Sequence, residues 1–188
     1  MIPYTVLRRA DTGVNNVTLG VWLFIASEVM LFGALFSAYA LLRVSSVDWP
    51  SGREVLSFAL GVTNTLVLIQ VTALAWRART ASPLAIRRLL LISSVFGLAF
   101  LGLKTAEWVR EISAGLAPAT NTFLAMYFTL TGLHALHVVA GIAANLWASA
   151  SARRIDPGQL AGRARSIALY WLLVDLVWFV IFALMYLS

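Results

Sequence analysis

Ionisable side chains occur inside long apolar stretches of this sequence, where a lipid bilayer disfavours charge. Glu28, His134, His137 and Asp175 each fall near the middle of such a stretch. Intramembrane carboxyl groups are the usual carriers of proton relays, and imidazole together with carboxylate suits zinc, iron or manganese. His134 and His137 are three residues apart and share one helical face. If the helices bring these four side chains together, we expect a buried carboxyl–imidazole cluster capable of one of these two chemistries.

A metal site is the weaker interpretation, because two histidines spaced three residues apart are a weak signal on their own. Both histidines lie on one helix, which disfavours a haem held by one axial ligand from each of two helices. The sequence has no cysteine, and it shows no Ser-His-acid order and no glycine-rich phosphate loop. We therefore predict no catalytic residue and no metal ligand. Each histidine is expected to hydrogen-bond a neighbouring helix, and Asp175 to pair with an imidazole or an indole N–H.

Further polar and small residues within the apolar stretches are interpreted as helix contacts. Lys104 and Glu107 lie near the outer end of the third stretch, and their three-residue spacing lets them pair. Gly132 and Gly141 predict close packing of the fourth helix against its neighbours. The remaining candidates for hydrogen bonds between helices are Asn64, Thr65 and Thr131.

Five apolar stretches position these residues, in a chain of 188 residues that is 61% hydrophobic and 12% charged. At about 1.5 Å rise per residue, each stretch is long enough to cross a hydrocarbon core of roughly 30 Å. The stretches are continuous and do not alternate, which excludes a β-barrel. We predict an all-α fold with five transmembrane helices in one bundle, forming a single domain over residues 1–188. The predicted spans are about 17–42, 55–76, 89–108, 122–147 and 166–187.

Polar segments separate the predicted spans. Residues 1–16 are interpreted as a polar arm, and the candidate N-caps of the first helix are Asp11, Asn15 and Asn16. The first apolar stretch is longer than a signal-peptide core, so no cleaved targeting segment is expected. Residues 77–88 and 148–165 are rich in arginine and contain proline, and they are interpreted as basic loops.

The arginines predict how the chain crosses the membrane. On one side of the predicted bundle fall Arg8, Arg9, Arg77, Arg79, Arg87, Arg88, Arg153, Arg154, Arg163 and Arg165. Only Arg43, Arg53 and Arg110 fall on the other side. The positive-inside rule then places the N-terminus in the cytoplasm and the C-terminus outside. This bias also accounts for the net charge of +6, so no nucleic-acid partner is expected.

Five sequence blocks, one in each predicted span, carry a resemblance to a known family. They are WLFIASEVMLFGALFSAY, NT at Asn64–Thr65, FGLAFLGLKTAEW, YFTLTGLHALHVVAG and YWLLVDLVWFVIFALMY. Their order and spacing resemble subunit III of haem–copper terminal oxidases, in its short five-helix bacterial form. The resemblance covers nearly the whole chain.

The resemblance implies that this chain is a non-catalytic subunit of a respiratory oxidase, and the oxidase is most similar to a cytochrome c oxidase. The whole complex would reduce oxygen to water and pump protons. It implies packing against the haem-bearing subunit I, with subunit II in the same complex, contact with phospholipid, and location in the bacterial inner membrane. Haem and copper then belong to the partner subunits, and this chain supports the stability and proton uptake of subunit I. By resemblance, Glu28 matches the family's carbodiimide-reactive carboxyl group. The other matching family positions are Glu107, His134, His137 and Asp175.

The sequence departs from the family at one place and leaves alternatives open. Leu172 and Leu173 stand where the family usually has His-Phe, so one imidazole is missing. Asp175 is then expected to use His134 or His137. A subunit III-like protein of a nitric oxide reductase or a quinol oxidase would share the same blocks. The remaining alternative is an independent intramembrane metal-binding enzyme or transporter. It would use Glu28, His134, His137 and Asp175.

Overall fold

A computed structural model describes residue 13 and residues 15–188, and five of its helices are long and apolar enough to cross a membrane. The helices are α1 (Asn16–Ser45), α2 (Gly52–Val55), α3 (Phe58–Ala78), α4 (Pro83–Ser113), α5 (Thr122–Ser151) and α6 (Pro157–Tyr186). The predicted all-α fold with five transmembrane helices is confirmed, and the chain is a multi-pass membrane protein. Arg8, Arg9 and the candidate cap Asp11 lie outside the described residues.

Side-chain caps and prolines set the starts of the long helices. Asn15 and Asn121 each accept a hydrogen bond of 2.8 Å from a backbone N–H in the first turn of α1 and α5. α4 and α6 begin at Pro83 and Pro157, well before the predicted starts at 89 and 166. Proline suits the first helical position because its φ angle is already helical and its missing N–H is not needed there. The prediction of basic loops over 77–88 and 148–165 is therefore wrong for most of these residues, because the helices extend into both segments.

The core of the bundle lies between four helices. α3 packs against α4 and α6, and α5 packs against the same two helices. The largest side chains buried between them include Trp171, Trp178 and Phe100, all less than 2% exposed. α1 lies outside this group, against α5 and α6, and most of its surface is exposed. The short helix α2 lies at the end of α6, where the backbone N–H of Gly52 donates to the carbonyl oxygen of Ser188 at 3.1 Å.

The two glycines that predicted close packing of α5 have different surroundings. A Cβ atom at Gly141 would lie only 2.6 Å from Cζ2 of Trp171, so the absent side chain is what lets the indole pack on the α5 backbone. At Gly132 no atom would lie within 4 Å of such a Cβ. The prediction of a close helix contact within the chain is therefore wrong for Gly132, because this glycine lies on a face of α5 that the neighbouring helices leave open.

These glycines give a matched pair of variants. We expect Gly141→Ala to destabilise the fold by about 1–3 kcal/mol, as overpacking of a core does, because the methyl group must displace the Trp171 ring. Gly132→Ala adds the same group in open space and should leave stability unchanged or raise it by about 0.5–1 kcal/mol through helix propensity. Thermal unfolding of both variants in one detergent measures the difference. Equal midpoints would contradict the close contact at Gly141.

Candidate functional site

A carboxyl–imidazole pair connects α1 to α5 near the middle of both helices. Oε2 of Glu28 lies 2.8 Å from Nε2 of His137. The two side chains are only 12% and 14% exposed. The other ring nitrogen of His137, Nδ1, lies 2.8 Å from the carbonyl oxygen of Leu133, one turn earlier on α5. Both nitrogens of His137 are therefore engaged.

The partners of His137 determine how many protons the pair carries. A backbone carbonyl can only accept a hydrogen bond, so Nδ1 of His137 is the donor to Leu133. One proton then remains between Nε2 and Glu28, held either by a neutral carboxyl group or by an imidazolium ring. In both arrangements the pair is electrically neutral as a whole. A neutral, hydrogen-bonded pair is the least costly way to keep ionisable groups at this depth.

Aromatic residues of α1 and α6 enclose the Glu28–His137 pair. The ring of Phe32 meets the His137 ring edge-on, with 5.2 Å between the ring centres. The hydroxyl of Tyr170 on α6 donates to the backbone carbonyl oxygen of His137 at 2.7 Å. Phe24 packs against the Tyr170 ring at 5.9 Å. The pair thus lies where α1, α5 and α6 meet, and it contributes one of the few buried contacts of α1.

His134 lies apart from this pair, in the core of the bundle. It is fully buried, and its ring contacts Phe100 of α4 and Trp178 of α6 at 5.5 and 5.1 Å between ring centres. Neither ring nitrogen has a hydrogen-bond partner among the described residues. The predicted hydrogen bond from His134 to a neighbouring helix is therefore wrong, because the neighbouring helices present the rings of Phe100 and Trp178 to the imidazole.

Asp175 is also separate from the imidazoles. It is 5% exposed, lies beside Thr72 of α3, and its Oδ1 has no partner in the described part of the chain. The predicted pairing of Asp175 with an imidazole or an indole N–H is wrong. The two indoles on its own helix face donate elsewhere, Trp171 to Asn145 and Trp178 to Thr65.

The separation of these residues bears on the metal-binding alternative. Within residue 13 and residues 15–188, no three side chains of the types His, Cys, Asp or Glu come close enough together to hold a metal ion. Glu28 and His137 supply two groups at most, and both are used by the hydrogen bond between them. The geometry therefore gives no support to an independent metal-binding enzyme or transporter built on the predicted four residues.

A buried ionic network connects α4, α5 and α6 at the end opposite the arginine-rich connections. Nζ of Lys104 lies 2.9 Å from Oε2 of Glu107, with these side chains 1% and 0% exposed. The same ammonium group donates to the hydroxyls of Tyr127 and Tyr186 at 2.9 and 2.5 Å. The Tyr186 hydroxyl in turn donates to Oε1 of Glu107 at 2.8 Å. All three donors of Lys104 are satisfied, and the pair lies inside the protein, not at an exposed membrane interface.

Asn145 is a buried connector that the sequence analysis missed. Its Nδ2 donates to Oγ of Ser93 at 3.2 Å, and its Oδ1 accepts the indole N–H of Trp171 at 3.1 Å. Ser93 itself donates to the carbonyl oxygen of Val71 at 3.1 Å. These bonds join α3, α4, α5 and α6 in one chain of contacts. The sequence did contain a signal for Asn145, because a side-chain amide within an apolar span is the same feature that identified Asn64 as a candidate.

The other predicted packing residues have mixed surroundings. Thr65 accepts the indole N–H of Trp178 at 2.9 Å, and Thr131 accepts that of Trp108 at 3.3 Å. Each of these bonds joins two helices. Asn64 is fully buried, but neither atom of its amide group has a partner among the described residues. The predicted hydrogen bond of Asn64 to another helix is therefore wrong.

Comparison with known proteins relates this bundle to one family. Residues 8–188 match the family model of cytochrome c oxidase subunit III. The chain belongs to this family. The resemblance of its sequence blocks to subunit III of haem–copper oxidases is thereby confirmed.

Relatives of this subunit III occur in several kinds of oxidase. The chain is 34% identical to cytochrome c oxidase subunit 3 of Thermostichus vulcanus, with 89% of the chain and 85% of that protein aligned. It is 30% identical to cytochrome bo(3) ubiquinol oxidase subunit 3 of Pseudomonas aeruginosa, over 94% of the chain and 87% of that protein. It is also 32% identical to the haem-copper oxidase subunit I+III of Aeropyrum pernix. That alignment covers 92% of the chain but only 23% of the longer Aeropyrum protein.

The buried ionic network allows a test by single and double substitution. Lys104→Met should destabilise the subunit by about 3–5 kcal/mol, because it leaves the Glu107 carboxylate buried without its cation. Lys104→Met/Glu107→Gln removes both charges and keeps an acceptor for Tyr186, so most of the lost stability should return. Thermal midpoints and membrane yield of the two variants measure this effect. A double variant no more stable than the single one would contradict the ionic network.

Proposed function

We propose that this subunit III is a non-catalytic subunit of a bacterial respiratory oxidase that reduces oxygen to water and pumps protons. It works in the inner membrane beside subunits I and II, which carry the haem and copper, and it contacts phospholipid. Its share of the work is to stabilise subunit I and to keep proton uptake fast. The observation that carries this proposal is the Glu28–His137 pair, a largely buried carboxyl–imidazole contact of 2.8 Å near the middle of α1 and α5.

The fused relative supports subunit I as the partner. In Aeropyrum pernix a region similar to this chain is part of one protein named subunit I+III. α1 is the helix that the chain's own contacts cover least, with Met30 and Leu41 more than 70% exposed. An apolar helix face of this kind suits contact with either a second membrane subunit or lipid.

The position of the pair suggests how it supports the complex. Glu28 is one of three buried residues of α1, together with Phe32 and Tyr39. Its bond to His137 holds the exposed helix against α5, and the proton between the two groups can move from one to the other while the pair stays neutral. Holding α1 serves stability, and the shared proton serves proton uptake.

The electron donor is a separate part of the proposal. Relatives named as cytochrome c oxidase and as ubiquinol oxidase subunits have similar identities, 34% and 30%. The combination of Ser27-Glu28 in α1 with the LKTAEW segment of α4 favours cytochrome c as the donor. A quinol oxidase is the second candidate because of the Pseudomonas relative.

Substitutions at Glu28 separate the two parts of this role. Glu28→Gln keeps a hydrogen bond to Nε2 of His137 but has no exchangeable acidic proton, whereas Glu28→Ala loses both. We expect normal haem content in both variants, slower proton uptake in both, and a shortened catalytic lifetime only in Glu28→Ala. Haem spectra, stopped-flow proton uptake and oxygen consumption over many turnovers measure these properties. The exposed residue Glu54 provides a control, because Glu54→Gln should match the wild type.

Loss of the haem signal or of all oxygen reduction in Glu28→Ala would contradict the supporting role. The assembly itself is tested by purifying the chain from native membranes in mild detergent and recording a reduced-minus-oxidised spectrum. A haem signal with a large multi-span partner is the expected result, and the haem type and copper content then separate cytochrome c oxidase from quinol oxidase or nitric oxide reductase. The proposal would be overturned if the chain were purified without a haem-containing partner and carried one tightly bound metal ion.

A further inference from the structure

Tyr170 of α6 contacts the helices of both members of the Glu28–His137 pair. Its hydroxyl donates to the backbone carbonyl oxygen of His137 at 2.7 Å. Its ring packs against the ring of Phe24, which lies one helical turn before Glu28, with 5.9 Å between the ring centres. The half-buried side chain of Tyr170 thus lies between α5 and α1 at the level of the pair.

The hydroxyl of Tyr170 attaches to α6 the turn of α5 that carries His137. A backbone carbonyl oxygen has two lone pairs, so it can accept the Tyr170 hydroxyl in addition to a backbone N–H of its own helix. The next residue, Trp171, packs on Gly141 one turn further along α5, and its indole N–H donates to Asn145 at 3.1 Å. Neighbouring residues of α6 therefore hold three successive turns of α5.

Helix α6 also holds α1 at two levels. Near the outer end of α1, the hydroxyl of Tyr39 donates to the carbonyl oxygen of Leu184 at 2.7 Å. At the other level, Phe24 packs on the tyrosine ring of α6 described above. Glu28 lies between these two levels. The position of its carboxyl group relative to His137 therefore depends on how α6 holds both α1 and α5.

We propose that Tyr170 is a positioning residue, which keeps the imidazole of His137 within hydrogen-bond reach of Glu28. A hydrogen bond between nitrogen and oxygen requires about 2.7–3.2 Å between these atoms, so a shift of the α5 turn by about 1 Å would break the contact. Tyr170 itself does not carry the proton, because its hydroxyl donates to a backbone carbonyl. The inference rests on the proposed role of the pair in proton uptake and adds the residue that sets its geometry.

Carbodiimide modification of Glu28 reports on this geometry. Dicyclohexylcarbodiimide dissolves in the membrane and reacts with protonated carboxyl groups, and a carboxyl group held by an imidazole is less available to it. Tyr170→Phe removes the hydroxyl and keeps the ring that packs on Phe24. We expect this variant to raise the initial rate of Glu28 modification about fivefold, the factor that corresponds to one neutral hydrogen bond. The rate is measured at fixed pH on the assembly purified from native membranes, by mass spectrometry of the peptide that contains Glu28.

Tyr39→Phe is a matched control at the outer end of α1. It also removes a tyrosine hydroxyl that donates to a backbone carbonyl oxygen of a neighbouring helix at 2.7 Å. Tyr39 lies roughly 16 Å from Glu28 along the helix axis. We expect Tyr39→Phe to lower the thermal midpoint about as much as Tyr170→Phe and to leave the rate of Glu28 modification unchanged. An equal increase of this rate in both variants would show a general loosening of the bundle and would overturn the inference.

A double substitution tests whether Tyr170 acts through the imidazole. His137→Leu removes the imidazole and leaves the backbone carbonyl in place, so Tyr170→Phe should cause no further increase in the modification rate in this background. The inference fails if Tyr170→Phe reacts at the wild-type rate, or if its fivefold increase persists beside His137→Leu. Thermal unfolding of each variant shows whether the fold is retained.

Proton uptake and haem content, measured on the same samples, separate this inference from the proposed function. Faster modification of Glu28 in Tyr170→Phe together with slower proton uptake would support both. Faster modification with unchanged proton uptake would support Tyr170 as a positioning residue and contradict the proposed role of the pair.

Discussion

The lack of water in the hydrocarbon core is the constraint on which this structure depends, since a polar group there that lacks a partner within the protein is costly. Two networks provide such partners in different parts of the bundle. Lys104 joins α4, α5 and α6 through Glu107 and two tyrosine hydroxyls. Asn145 joins α3, α4, α5 and α6 through Ser93 and an indole N–H. Between them the core is filled with apolar and aromatic side chains, so the polar contacts fix which helices meet and the packing fills the space.

The Glu28–His137 pair differs from these networks in its position and its proton count. The networks lie within the four-helix core, whereas the pair attaches the peripheral helix α1. Lys104 has every donor occupied, so its network is a fixed arrangement of charges. The pair holds one proton that either partner can carry, and it remains neutral in both states. A change at this pair therefore affects the contact between α1 and the bundle without disturbing the core, which fits a supporting role beside a catalytic subunit.

The arginine-rich end of the bundle has a different surface chemistry. Helices α4 and α6 begin several residues before the predicted apolar spans, so their second turns carry arginines. Arg79 and Arg163 lie over the rings of Trp76 and Trp147, whereas Arg87 has no such partner in the described part of the chain. Family membership indicates that the chain is part of a multi-subunit membrane complex.

Sequence alone determined the five spans, the all-α fold and the family, because the length and continuity of apolar stretches are set by the thickness of the bilayer. It also placed His134 and His137 on one face of a helix. At about 100° per residue, however, their spacing leaves the two rings about 60° apart around the helix axis. Only the tertiary structure decided that His137 points to Glu28 while His134 points into the aromatic core. In the same way it left Asp175 without an imidazole and made Asn145 a connector of four helices. Which faces meet depends on how whole helices pack, and a pattern of residues along one helix does not contain that information.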